Sequence, residues 1–261
     1  MSIPKIIHYC WFGGNPLPDF ALKCIESWKK YCPEYQIIRW DESNFDVAKC
    51  PAYVREAYAA KKWAFVTDYV RLQVVYEHGG IYLDTDVELL RSPDVFLHNH
   101  AFFGFEDIRH VNTGLGFGAE KGSKILKEMI LDYLSIPFVL ENGEMDLTPC
   151  PARNTKVLLR RGLRQNNSKQ LLNGEILILP TEYFCPIDYI TGKKRITKNT
   201  YSIHHFSASW HNGVKLETRR KRLQQEKKKY ILHTPYRIAR KLLGDQLYEQ
   251  IRSKLKKEKT Q

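Results

Sequence analysis

The chain has no long apolar run, no CxxC pair and no leader-like start. No stretch of eighteen or more apolar residues occurs in its 261 positions, so no segment reads as a membrane span. The opening Met1 to Cys10 lacks the long apolar stretch and small-residue cleavage site of a secretory leader, and a cytoplasmic location is the expectation. The six cysteines (Cys10, Cys24, Cys32, Cys50, Cys150, Cys185) keep no metal-site interval and are expected as small buried hydrophobes.

What is present is a chain that can build a core. Hydrophobic residues make up 43% and aromatics 12%, which excludes disorder throughout. The length suits one α/β unit. The formal charge of +12 is uneven. Lys215 to Lys259 holds ten Lys, six Arg and five acids, so nearly all of the excess belongs to the tail. The expected organisation is a folded domain over residues 1–213 and a basic helical extension over 214–261.

Periodicity and breakers sketch the domain. Ile3 to Phe12 reads as a buried strand ending at Gly13-Gly14-Asn15-Pro16. Phe20 to Tyr31 carries apolar residues at helical spacing and stops before Pro33, and Tyr35 to Trp40 reads as a second strand. This order predicts a parallel sheet covered by helices. Tyr53 to His78 is expected to be mostly helical, with Gly79-Gly80 as its C-cap. Ile81 to Leu90 follows as a strand, with Tyr82, Asp84 and Asp86 on one face if the extended form persists. Phe102 to Phe105, Ile176 to Pro180 and Ser202 to Phe206 read as short strands, and Lys124 to Leu134 as a helix.

Asp84-Thr85-Asp86 is the feature with chemistry in it. Two carboxylates one residue apart on a strand can reach one hard cation, magnesium or manganese, and such ions keep places free for substrate phosphates. A D-x-D tripeptide alone also occurs at solvated strand ends. Its surroundings decide the weight. Asp68-Tyr69-Val70-Arg71, followed by Gly79-Gly80-Ile81-Tyr82-Leu83-Asp84-Thr85-Asp86, resembles the sugar-transferase family bearing the D-x-D motif. The opening Ile3-Pro4-Lys5-Ile6-Ile7-His8-Tyr9-Cys10-Trp11-Phe12-Gly13 is similar to that family's start, and a weaker likeness recurs at His204 to Trp210. The family includes capsular-polysaccharide transferases, a yeast Golgi mannosyltransferase and the glucosylating domains of large clostridial toxins.

The resemblance implies a GT-A fold, a mixed and mostly parallel sheet with helices on both faces. It implies a glycosyltransferase that uses Mn²⁺ or Mg²⁺ and retains anomeric configuration. Carried over by position, Trp11 stacks on the donor base, with Phe12 and Gly13 beside it. Asp68 and Arg71 handle the donor sugar and diphosphate, and Tyr82 lies near the donor. Asp86 is the principal metal ligand and Asp84 the supporting one. Counting five residues back from Trp210 gives His205 as the further ligand, with His204, on the opposite side by alternation, as the less favoured choice, while Trp210 closes over the donor. The stretch Glu106 to Gly114 lines the sugar pocket, with Asn112 chosen for a sugar hydroxyl. Asp84, Asp86 and Arg71 form the catalytic set, and no residue declares itself as a nucleophile.

The expected donor is a nucleotide sugar, UDP-linked in preference to GDP-linked. The expected acceptor is a glycan or lipid-linked glycan in surface or capsular polysaccharide synthesis. The alternative is a catalytically inactive sugar-nucleotide-binding protein held at the membrane by its tail. Arg219-Arg220-Lys221-Arg222 and Lys227-Lys228-Lys229, with apolar residues at helical spacing beyond them, suit an anionic membrane surface on the cytoplasmic side. A solvated helical hairpin has the same pattern. Nucleic-acid binding fits the charge, but the tail lacks interleaved stacking aromatics and any recognisable module.

Overall fold

A computed structural model describes residues 3–188 and 192–207, with 235, 238, 242–244 and 248 besides. The chain divides into two compact units, residues 1–188 with 193–210 and residues 189–192 with 211–261. Most of the second lies outside the described residues, and with it Trp210 and nearly all of the basic tail.

The first unit begins with β1 (Ile6–Cys10), α1 (Asp19–Tyr31) and β2 (Gln36–Trp40). Helix α1 starts behind Pro18, and Ala21, Cys24, Ile25 and Trp28 make its buried stripe. The single helix expected from Tyr53 to His78 is two, α2 (Ala52–Ala59) and α3 (Trp63–His78). Lys61 takes φ 55 between them, a left-handed turn that no helix continues through. Gly79 caps α3 at φ 70, and its N–H bonds Val75 O; a side chain there would strike Pro4 at 2.9 Å.

The remaining elements are β3 (Gly80–Tyr82), β4 (Val87–Leu89), β5 (Ala101–Phe105), β6 (Val111–Asn112) and β7 (Phe117–Ala119). Helices α4 (Lys124–Leu131) and α5 (Cys150–Arg160) follow, then β8 (Gln170–Leu172), β9 (Ile176–Leu179), α6 (Thr181–Phe184) and β10 (Ser202–His204). Among the described residues eight strands make one sheet in the order β2-β1-β3-β7-β5-β9-β8, with β6 on β5. Strands β1, β2, β3, β5 and β9 run one way, and β6, β7 and β8 run against them. The sheet is therefore mixed and mostly parallel, as expected.

Both faces are covered, which is why the strands read as near-continuous apolar runs. Phe103, Phe105, Phe117 and Tyr82 pack under residues of α2, α3, α4 and α5. Ile7, Tyr9, Ile81, Phe102 and Leu179 face Trp28 of α1 and Phe184 of α6 on the other side. The loops at the C-terminal ends of β1, β3 and β5 thus share one edge, the usual place for a ligand in an open α/β sheet.

Candidate metal and donor site

The strand expected from Ile81 to Leu90 is broken, and the break makes the site. Strand β3 stays in the main sheet as far as Tyr82, and Leu83 N still bonds His8 O at 3.0 Å. The chain then turns, closed by Val87 N to Asp84 O at 3.0 Å. Strand β4 leaves to pair antiparallel with β10, His204 opposite Val87. Helix α1 captures the departing strand. Trp28 Nε1 donates to Val87 O at 2.7 Å, and Leu89 N donates to Ser27 Oγ at 2.9 Å. Asp84 and Asp86 converge around a turn and not by strand alternation.

Asp84 is held from behind. Tyr82 Oη donates to its Oδ1 at 2.9 Å, and Arg71 Nη2 lies 3.3 Å from the same oxygen. Arg71 also pairs with Asp68 at 3.1 Å, bonds Thr67 and sits 5.0 Å over the Tyr82 ring. The guanidinium is buried and taken up by the chain's own groups, so it braces the carboxylates. Burial pushes the Asp68 carboxyl up to about 6 although Arg71 pulls it down, and burial raises Asp84 as well. Backbone presses on this cluster at Gly114, where a methyl would stand 2.3 Å from Asp84 Oδ2 and 3.1 Å from Asn112 Oδ1.

Asp86 is held from the front. Ser207 donates to its Oδ2 through N at 2.8 Å and Oγ at 3.1 Å, and His204 Nε2 lies 3.2 Å from Oδ1. Burial would raise this carboxyl, but the imidazole and the Ser207 bonds outweigh it and hold Asp86 well below the ordinary range.

The expected ligand His205 points elsewhere. Its Nε2 meets Glu88 at 2.9 Å and its ring lies edge-on to Phe20. Adjacent residues of an extended segment face opposite ways, and the pairing of β10 with β4 turns His204 inward. His204, and not the expected His205, stands beside the two carboxylates. Asp84, Asp86 and His204 each offer a ligand atom, all within 4.8 Å of one another. Two carboxylate oxygens and an imidazole nitrogen at that spacing fit a manganese or magnesium ion, and the surplus of negative charge favours one.

Trp11 follows β1 on the same edge, half-exposed, with its Nε1 donating to Asn15 O at 2.7 Å. Phe12, expected beside the donor, is turned into the core against Phe45, so that placement is corrected too. Gly13 packs on the Trp63 indole and donates its N–H to Glu42 at 2.7 Å. Asn112 is buried, and its amide is already engaged by Gly114 N at 2.6 Å, Glu106 at 3.2 Å and the Cys150 thiol. These bonds hold it within the cluster behind Asp84. Trp210 lies outside the described residues.

Two participants were not singled out from sequence. Cys150 heads α5 and touches Asn112, Arg71 and Thr113 from below. The signal was there: Pro149 and Pro151 mark a helix start, with proline where no N–H is needed. Glu106, within the stretch from which Asn112 was chosen, follows β5 at the same edge.

Residues 18–103 match the family described as glycosyltransferase sugar-binding region containing DXD motif. The chain is 34% identical over 132 residues to inositol phosphoceramide mannosyltransferase 3 of Schizosaccharomyces pombe, covering 49% of this chain and 36% of that protein. It therefore spans little more than a third of that relative's length. It is 25% identical over 226 residues to an uncharacterized glycosyltransferase, L373, of Acanthamoeba polyphaga mimivirus, covering 82% of this chain and 86% of the other. The PaToxG glycosyltransferase structure overlays with a TM-score of 0.50 at 19% identity, covering 61% of this chain and 69% of that one. That overlay shows a shared fold, of the GT-A type.

Proposed function

We propose that this chain, which carries a glycosyltransferase sugar-binding region with its DXD motif at Asp84-Thr85-Asp86, is a metal-dependent retaining glycosyltransferase. It moves a sugar from a nucleotide donor, UDP-linked by preference, to a glycan or lipid-linked glycan acceptor. The observation that carries the reading is the convergence of Asp84, Asp86 and His204 at the strand edge, the two aspartates lying within the matched residues 18–103. Surface or capsular polysaccharide synthesis at the cytoplasmic membrane face is the setting it fits, with the basic tail as the attachment.

Asp84, Asp86 and His204 would hold a divalent ion, which when bound would offset the charge of a departing nucleoside diphosphate. The chain's own groups prepare its seat. Ser207 fixes one oxygen of Asp86 and leaves the other turned to His204. Tyr82 and Arg71 fix Oδ1 of Asp84, so neither carboxylate must reorganise when the substrate arrives. Trp11 offers an aromatic face for the base one strand away.

The test is donor hydrolysis by the purified protein over a panel of UDP- and GDP-sugars with Mn²⁺. Turnover is expected, falling about a hundredfold or more in Asp86→Asn. Full metal-dependent activity in that variant would refute the site, and absence of turnover in the wild type would favour a non-catalytic binder.

A further inference from the structure

We propose that Glu106 is a catalytic carboxylate at the sugar end of the site, facing the donor ring and balancing the positive charge that develops there. The inference rests on the nucleotide-sugar reading and adds a residue to it.

The order of strands gives the direction. Trp11 follows β1, Asp84 follows β3 and Glu106 follows β5, and these three strands run the same way. In the sheet they stand as β1-β3-β7-β5. Neighbouring strands are about 4.8 Å apart, so the end of β5 lies roughly 10 Å beyond the end of β3. A donor with its base at Trp11 and its diphosphate at Asp84 and Asp86 runs along this edge. Its sugar is carried away from β1 and toward β5.

The chemistry of the four carboxylates gives the role. Asp68 and Asp84 pair with Arg71, and Asp86 is bound by His204 and Ser207. Glu106 accepts from the neutral Asn112 amide at 3.2 Å, and no cation bonds it among the described residues. That amide is itself locked by Gly114 N and Cys150, so the carboxylate is positioned without being neutralised. Burial raises Glu106, and His204 across the site draws it down. A partly buried carboxylate to which no cation bonds among the described residues is suited to a reaction that creates positive charge.

The bond between the anomeric carbon and the diphosphate breaks, its electron pair leaving on the phosphate oxygen. The acceptor oxygen forms the new bond, and its proton passes to that departing phosphate oxygen. Glu106 gains neither bond nor proton; it stabilises the ring while the old bond is long and the new one unformed.

The experiment compares wild type, Glu106→Gln and Glu106→Asp in donor hydrolysis with Mn²⁺, alongside UDP–Mn²⁺ affinity by calorimetry. The glutamine variant keeps a hydrogen-bond acceptor but loses the charge. Its kcat is expected to fall about a hundredfold with UDP–Mn²⁺ affinity unchanged, and the aspartate variant to retain more of the rate. A glutamine variant with the wild-type kcat, or with a defect confined to donor KM, would overturn the proposal. Absence of wild-type turnover would instead remove the nucleotide-sugar reading, and this inference with it.

Discussion

At the scale of single residues, the choice between two adjacent histidines is the sharpest result. His204→Ala should weaken Mn²⁺ binding about 10- to 100-fold, and His205→Ala should leave it unchanged, as read by Mn²⁺ electron paramagnetic resonance titration. Equal losses in the two variants would contradict the site. Sequence reading found both carboxylates, Tyr82 and the Asp68–Arg71 pair, because residue type and interval are visible in one dimension. It favoured His205 over His204 because facing is set by register with a strand more than a hundred residues earlier, which one dimension does not display. Phe12 turns inward for a related reason: whether a strand-end aromatic looks out or in depends on Phe45, which no local pattern supplies.

Elements decide where those residues end up. The apolar run Ile81 to Leu90 has the composition of one strand, and only tertiary contacts divide it. Trp28 and Ser27 draw β4 toward α1 while β3 remains between β1 and β7. Trp28→Phe keeps most of the packing but leaves Val87 O without its donor. A loss of about 1–3 kcal/mol in urea unfolding is expected. A fall of roughly tenfold in Mn²⁺ affinity should accompany it, because the turn bearing Asp86 loses its anchor. Unchanged metal affinity would show that the turn holds its shape without α1. The first helix, the first two strands and the Gly79 cap were legible, since Pro18, Pro33 and Gly79 punctuate them. Helix α5 was overlooked despite its prolines, for its apolar stripe is narrow and carries the buried Arg153 and Asn154.

For the molecule as a whole, acid sensitivity follows from one buried histidine. His8 Nδ1 accepts from Trp40 Nε1 at 3.0 Å, so Nε2 carries the proton and donates to Gly79 O at 2.8 Å. Burial, aided by His78, lowers its pKa to about 4. The unfolded chain takes up a proton near pH 6.5 and the folded one does not, so stability rises with pH between about 4 and 6.5. About 3 kcal/mol should be lost as pH falls through that window, read as a declining urea midpoint, with the slope reduced in His8→Gln. A flat profile would mean that His8 titrates normally. The tail permits a separate test at this scale. Removing residues 214–261 should abolish sedimentation with anionic liposomes while sparing Mn²⁺-dependent donor hydrolysis, and retention of RNA instead of liposomes by the full chain would reassign the tail.

Asp86 and its partners His204 and Ser207 are separated by well over a hundred positions, yet they meet in one hydrogen-bonded group. A nascent polypeptide emerging from the ribosome therefore displays its aspartates long before it owns the imidazole. Such an intermediate can shape most of the sheet while Asp86 still lacks its His204 and Ser207 partners. The order of synthesis thus works as a timer: the group is complete only after β10 has been made and has zipped onto β4.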